Sequence, residues 1–226
     1  MSIGIGIVGC GMIANFHARA INDAEGAHLV ACTDFRAEAA TAFAEKNGCR
    51  AYASLEEMLA GSKPEAILIT HDHPDHIDAL DAMRSRLQVP VMAHLKSADR
   101  PGGINPDRRL SDEECIQVGE CRLAVYHTPG HTPDQICFGI EGDHRIVVGD
   151  TIFKGGPGKT WSAQDFQTTL VTLRETVLGW PDETFCYPGH GLAFQLGEQR
   201  TAIEKFLEKD HGSFFGDATW DMAHME

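Results

Sequence analysis

Apolar positions along this chain gather into short strand-like runs separated by amphipathic helical stretches, and most runs end in glycine, histidine or aspartate. Ile3 to Val8 is the first run, with a helix from about Ile13 to Asn22 behind it. His28 to Thr33 makes a second strand. Arg36 to Asn47 makes a second helix, closed by Gly48, since glycine readily takes the left-handed conformation that stops a helix. Ser54 and Glu57 have capping-box spacing for a short helix ending at Gly61. Ala66 to Thr70 is then the expected third strand. Strands alternating with helices predict a parallel, α/β arrangement in this part of the chain.

Further on, strand-like runs cover Val89 to Leu95, Leu123 to Tyr126, Arg145 to Val148 and Thr184 to Tyr187. Phe166, Leu170, Leu173 and Val177 share one face of a helix begun by Ser162, and Ala202, Phe206 and Leu207 do the same later. The tail, Gly216 to Glu226, reads as an exposed or oligomer-contacting end.

The strand ends carry the chemistry. The first run leads into Gly9-Cys10-Gly11-Met12-Ile13-Ala14, a G-x-G-x-x-A turn that lets a backbone approach a pyrophosphate, and Asp34 ends the second strand where a ribose hydroxyl would sit. Ala66 to Thr70 leads into His71-Asp72-His73-Pro74-Asp75-His76. In a loop, residues two apart can converge on one cation, and histidines with a carboxylate suit borderline metals such as zinc. Three later runs deliver His127-Thr128-Pro129-Gly130-His131, Gly149-Asp150-Thr151 and Pro188-Gly189-His190-Gly191. Ligands placed at strand ends can meet on one edge of a sheet. Gly155 to Thr160 looks like a phosphate-binding P-loop, but Phe153 stands where the first glycine is required, so nucleotide binding there is rejected.

Composition narrows the classes. A chain of 226 residues fits one large domain or two small ones. The net charge of -14 argues against a nucleic-acid or anionic-membrane surface. No apolar run has the length to span a bilayer, and the N-terminus lacks the charged start of a signal peptide. The seven cysteines form no CxxC and mostly fall inside apolar runs, as buried free thiols do. These features predict a cytoplasmic, reduced protein.

Residues 1 to 70, through "IGIVGCGMIANFHARAI" and the Asp34 that follows, resemble the N-terminal half-domain of the Gfo/Idh/MocA family of NAD(P)-dependent oxidoreductases. That resemblance implies dinucleotide contacts from Gly9, Gly11 and Asp34. The family's catalytic Glu-Lys-Pro is missing, however: Lys96-Ser97-Ala98-Asp99 stands in its place. No substrate domain follows. The glycines are therefore read as an inherited scaffold turn in preference to a working NAD(P) site.

Residues 66 to about 210 resemble the metallo-β-lactamase superfamily, through "THDHPDH", "HTPGHT", "GDTIF" and "PGHG". The resemblance implies one metal held by His71, His73 and His131, a second held by Asp75, His76 and His190, and Asp150 as the bridge. It implies two divalent ions, zinc first, with iron or manganese as alternatives. Asp75 is the implied catalytic residue, orienting a metal-bound hydroxide and shuttling a proton. The implied activity is hydrolysis of a small ester, thioester or lactone, as in glyoxalase II-like members. The glycine-rich stretch after Asp150 resembles the substrate loop of those members, which makes Lys159 and Trp161 candidate substrate contacts beside their blander readings as surface Lys and packing Trp. The residues after "HTPGHT" are usually small, whereas here they are Pro133-Asp134-Gln135.

The expected fold is thus α/β, with metallo-β-lactamase-like sheet and helix layers and an N-terminal βαβαβ Rossmann-like unit replacing the usual first layer. The expected boundaries are 1–70 and 66–226, with strand 66–70 shared in one continuous sheet system. A small-molecule substrate is the expected partner, with no nucleic acid and no membrane, and a homodimer is compatible with the sequence. Three other readings stand beside the hydrolase. They are a mononuclear iron oxygenase resembling persulfide dioxygenase, an NAD(P)-binding oxidoreductase-derived protein, and a non-catalytic hybrid.

Overall fold

The computed structural model describes residues 3–23, 27–59, 64–98 and 103–222, and the chain divides into two compact units, Met1–Pro64 and Glu65–Glu226. In the first unit, strands β1 (Ile3–Val8), β2 (Ala27–Thr33) and β3 (Arg50–Tyr52) pair in parallel in the order β1-β2-β3. Helices α1 (Met12–Asp23) and α2 (Ala37–Asn47) pack on this sheet through Ala14, Ala18, Ala40, Phe43 and Ala44, against Ile7, Leu29 and Cys32. Small alanines let the helices approach the strands closely. Gly48 ends α2 with a positive φ of 70°, and its N–H donates to the carbonyl of Ala44 at 2.9 Å. Helix α3 (Leu55–Leu59) carries the expected capping box: the N–H of Glu57 donates to Ser54 Oγ at 3.2 Å, and the N–H of Ala53 to Glu57 Oε2 at 3.3 Å. The expected stop at Gly61 lies outside the described residues.

The third strand of this unit is a correction. It is Arg50–Tyr52, beside β2, and not Ala66 to Thr70. The chain turns back immediately after Gly48, so a three-residue return suffices to extend the sheet. The run at 66–70 contributes only β4 (Ile67–Leu68), which pairs with β5 (Val91–His94) of the second unit. The expected sharing of that strand is therefore not found: β1-β2-β3 and β4-β5-β6 are separate sheets.

The second unit is layered. β4, β5 and β6 (Arg108–Leu110) form a small parallel sheet, with α4 (Pro74–Ile77) and α5 (Leu80–Leu87) between its first two strands. A six-stranded sheet has the order β14-β13-β10-β9-β8-β7. Its members are β7 (Cys115–Val118), β8 (Cys121–His127), β9 (Ile136–Ile140), β10 (Arg145–Gly149), β13 (Phe185–Pro188) and β14 (Phe194–Gln195). The hairpin β11 (Ile152–Phe153) and β12 (Gly156–Pro157) follows β10. Helices α6 (Ala163–Glu175) and α7 (Gly197–Leu207) come before β13 and after β14.

Alternation along the strands makes two cores. Met92 and Leu110 of the small sheet meet Ile116, Leu123, Val125, Ile136 and Phe138 of the large one. The opposite-facing residues Cys137, Ile146, Val148 and Cys186 meet Phe166, Leu170, Leu173, Ile203 and Phe206 of α6 and α7. Ile69, Leu80, Val91 and Ala93 close the outer face of the small sheet, with α5 contributing Leu80. The order is helix, sheet, sheet, helix. Ser162 caps α6 as expected, accepting the N–H of Asp165 at 3.1 Å.

The tail is a second correction. Ala218 and Trp220 are buried, and both belong to the core formed with α6 and α7. Residues 223–226, including His224, lie outside the described part. All seven cysteines are free; Cys10, Cys32, Cys137 and Cys186 are buried, and Cys115 is exposed. Among the described residues no helix is long and apolar enough to cross a membrane.

Candidate metal centre

β8 and β10 both run antiparallel to β9, and β13 runs parallel to β10, so these three strands point the same way. Their C-terminal ends therefore share one edge of the large sheet, and His131, Asp150 and His190 follow those ends. The end of β4 is brought to the same edge by the N–H of Ile136, which donates to the carbonyl of Thr70 at 2.8 Å. His71 and His73 lie on the loop after β4, with Asp75 and His76 on α4. His73 sits at the N-cap of α4 in an extended conformation, and Pro74 follows, where a missing N–H costs nothing.

All seven predicted side chains come together. His71 Nε2 lies 3.2 Å from His73 Nδ1, and His131 Nε2 lies 2.9 Å from the same atom. On the other side, His190 Nε2 is 2.9 Å from Asp75 Oδ2, and His76 Nε2 is 3.8 Å from it. Asp150 stands between the two groups. Its Oδ2 is 3.5 Å from His131 Nε2 and 3.6 Å from His190 Nε2, while its Oδ1 is 3.4 Å from His76 Nε2. Ligating atoms within 4.8 Å of one another are found in three sets: His71 with His73 and His131, His71 with His76 and Asp150, and Asp75 with His76 and His190.

This arrangement suits cations. His76 Nε2 and Asp150 Oδ1 are buried without a hydrogen-bond partner, which is costly for polar atoms unless a ligand satisfies them. Burial pushes His71 down to about 2 and lowers His131 too, so both imidazoles stay neutral and keep a lone pair to donate. Burial alone would raise the Asp150 carboxyl, but His76 beside it, with the His71 and His131 rings, holds it below the usual carboxylate range. Nitrogen and carboxylate donors at these spacings fit zinc, iron or manganese.

The backbone tightens the cluster. The N–H of Gly189 donates to the carbonyl of Gly149 at 2.9 Å, joining the ends of β10 and β13. Any side chain at 189 would collide with Asp150 Oδ1 and the His76 ring. Outer partners orient the imidazoles. The Nδ1–H of His131 donates to the carbonyl of Lys159 at 2.7 Å, leaving Nε2 free for the centre. His71 Nδ1 lies 3.2 Å from Thr70 Oγ1.

The unusual Asp134 and Gln135 are both fully buried. Asp134 accepts from Ser97 Oγ at 2.8 Å, and Gln135 Nε2 donates to the carbonyl of Ile136 at 3.1 Å. His127 makes no part of the cluster: it stacks on His94, with ring centres 4.0 Å apart, and bonds the carbonyl of Pro133 at 3.0 Å. A cavity of about 330 Å³ opens beside the first imidazole group, lined by His73, His131, Thr132, Pro133, Trp161 and Asp165. Trp161 is 58% exposed and stands edge-on to His73 at 6.1 Å, with Lys159 Nζ over its ring. Thr132 and Asp165 were not singled out from sequence, because nothing in their local pattern marks them as pocket residues.

The dinucleotide-type residues are placed differently. Gly9 has a φ of 89° and turns the chain after β1, and among the described residues, chain neighbours aside, no atom lies within 4 Å of where a side chain on Gly9 or Gly11 would begin. Asp34 is 8% exposed, and its carboxylate is used by its own loops: Oδ2 accepts the N–H of Cys10 and Oδ1 the N–H of Arg36, both at 2.8 Å.

An αββα unit with a histidine–aspartate cluster on one sheet edge defines a class of metal-binding folds. The family profile described as Metallo-beta-lactamase superfamily matches residues 48–190, and this chain belongs to that superfamily. A second profile, Oxidoreductase family, NAD-binding Rossmann fold, matches residues 3–91, so the two matches overlap. A relative described as "Probable metallo-hydrolase YqgX" from Bacillus subtilis is 34% identical over 148 residues, 58% of this chain and 70% of the relative. A "Hydroxyacylglutathione hydrolase" from Polaromonas sp. is 32% identical over 126 residues, 55% of this chain and 47% of that enzyme. The chain thus spans about half the length of the hydroxyacylglutathione hydrolases it matches. Among solved structures, TTHA1623 in a di-iron-bound form has a TM-score of 0.53 and 28% identity, covering 65% of this chain and 82% of that one.

Proposed function

We propose that this chain is a metal-dependent hydrolase that cleaves a small ester, thioester or lactone. One observation carries the reading: Asp150 Oδ2 lies 3.5 Å from His131 and 3.6 Å from His190, between two groups of donors. His71, His73 and His131 would hold one cation, Asp75, His76 and His190 a second, and Asp150 would touch both. When bound, such cations polarise an acyl oxygen and lower the pKa of water from 15.7 to about 7. The relatives support this reading, one described as a probable metallo-hydrolase and others as hydroxyacylglutathione hydrolases, and one solved neighbour holds two irons.

The chain's own groups do the rest. Thr132, Pro133 and Trp161 line a cavity of small-molecule size beside His73, and the indole face offers an apolar wall for an acyl group. Asp75 is 56% exposed at its side chain, and its Oδ2 faces His190 at 2.9 Å. From there its carboxylate can orient an attacking water and take up the proton it releases. Zinc, iron and manganese all suit the donor set.

Elemental analysis of purified protein, with hydrolysis of a hydroxyacylglutathione, p-nitrophenyl acetate and a simple lactone, tests the reading. Two divalent ions per chain, and activity lost on chelation and restored by add-back, are expected. Undiminished hydrolysis by metal-stripped protein would refute it.

A further inference from the structure

We propose that Gln199 and Trp220 are positioning residues of the metal centre, acting through the loop at 155–160. The proposal rests on the hydrolase reading for its metal-dependent effects, and on hydrogen bonds of the chain alone for its geometry.

The C-terminal segment grips this loop at both ends. Gln199 Oε1 accepts two N–H groups at once, from the backbone of Gly155 at 3.1 Å and from the indole of Trp220 at 3.2 Å. The backbone N–H of Trp220 donates to the carbonyl of Gly155 at 2.9 Å. Both polar groups of residue 155 are thus held by one pair of residues from α7 and the tail. At the far end, the N–H of Thr160 donates to the carbonyl of Gly216, and the N–H of Gly216 to Thr160 Oγ1, each at 3.1 Å. Lys159 Nζ adds an ion pair with Asp217 at 3.1 Å.

The opposite side of the loop faces the ligands. The N–H of Gly158 donates to the carbonyl of Thr151 at 3.1 Å, and a side chain at 158 would collide with the carbonyl of Asp150 and press on His131 Cβ. The carbonyl of Lys159 is the acceptor for His131 Nδ1–H at 2.7 Å. That one bond fixes the tautomer and the rotation of the imidazole, and hence where Nε2 points. A displacement of the loop by the tail is therefore transmitted to a ligand through a carbonyl, with no contact between the tail and any cation.

Three variants separate positioning from packing. Gln199→Met keeps the length of the side chain and removes the acceptor, Gln199→Glu keeps an acceptor oxygen, and Trp220→Phe keeps an aromatic ring against Phe206 while losing the indole N–H. The first readout needs no metal. In metal-free protein, nitrogen NMR of the histidine side chains should show the His131 Nδ1–H signal shifted or exchange-broadened in Gln199→Met and Trp220→Phe, and native in Gln199→Glu. An unchanged signal in Gln199→Met overturns the proposal, whatever becomes of the hydrolase reading. The second readout is zinc affinity by chelator competition, with the absorption spectrum of the cobalt-substituted protein. Loss of an outer partner of a metal-bound histidine costs about 10- to 100-fold in affinity. Gln199→Met should lie in or just below that range, with kcat reduced, KM for p-nitrophenyl acetate little changed, and rescue by Gln199→Glu. Wild-type affinity and an unaltered cobalt spectrum in Gln199→Met would also overturn it. A His131 shift in the variants, with native protein that binds none of zinc, iron or manganese, leaves the positioning role standing and sinks the metal reading instead.

Discussion

The two units place polar residues in the same way, at the C-terminal ends of strands, and then treat them in opposite ways. In the N-terminal unit, Asp34 ends β2 and is consumed at home, both oxygens accepting backbone N–H groups from Cys10 and Arg36. In the second unit, residues after β4, β8, β10 and β13 turn toward each other, and His76 Nε2 and Asp150 Oδ1, 3.4 Å apart, are left buried with no hydrogen bond. Strand ends alone do not make a site. What marks one is a set of polar atoms that the chain has brought together and not satisfied, because such atoms are tolerated only where something else completes them.

Swapping the damage between the units gives the largest test of that contrast. Asp150→Ala or His73→Ala should bring bound metal and hydrolysis down to background together. Asp34→Ala should leave metal per chain and kcat/KM as in the native protein. If Asp34→Ala stripped the metal as well, the contrast would be broken.

Next in size is the core beneath the ligands. Phe166 is fully buried against Phe206, His211 and Phe214. Its replacement by Ala should cost about 3–5 kcal/mol in urea unfolding. All three tryptophans, Trp161, Trp180 and Trp220, lie in the second unit, so their fluorescence reports on that unit.

A smaller effect should appear with pH. Burial pushes His94 down to about 4 from its ordinary 6.5, with His127 and Lys96 lowering it further and Asp134 and Asp112 opposing. Because the folded value is depressed, the unfolded chain takes up the proton first as pH falls. Stability from a neutral His94 is therefore complete above about pH 6.5 and is lost progressively toward pH 4, by about 2–3 kcal/mol. Urea midpoints followed by tryptophan fluorescence should fall over that window, and His94→Gln should flatten the slope.

The smallest effect belongs to the first unit. The N–H groups of Arg36 and Cys10 hold the Asp34 carboxyl below the usual range. Its contribution is complete above the unfolded value and is lost only as pH drops through the lowered one, at the acid extreme. Asp34→Asn should lessen the acid sensitivity of the far-ultraviolet circular dichroism signal while leaving tryptophan fluorescence alone. A fluorescence change of equal size would erase the distinction between the units.

The clustered histidines and aspartates were legible because they follow apolar runs, so one-dimensional order carried over to one edge of a sheet. The helix punctuation at Gly48, Ser54 and Ser162 was equally local, and each appears in the structure as a bond or a backbone angle. What the sequence concealed depended on contacts between distant segments. β3 is the three residues Arg50, Ala51 and Tyr52, with no apolar run, and it is a strand because β2 lies beside it. Ala218 and Trp220 are scattered among glycine and polar residues with no period, and only the packing of α6 and α7 buries them. Trp161 resembles any surface aromatic in sequence, and its place beside His73 is set by the loop after β12.

The parallel docking of β13 beside β10 has a consequence for biosynthesis. Donors drawn from positions as far apart as 71 and 190 cannot close on one another until the ribosome has released most of the chain. The set completed by His190 would therefore be assembled after the set of His71, His73 and His131, whose last member is made well before it.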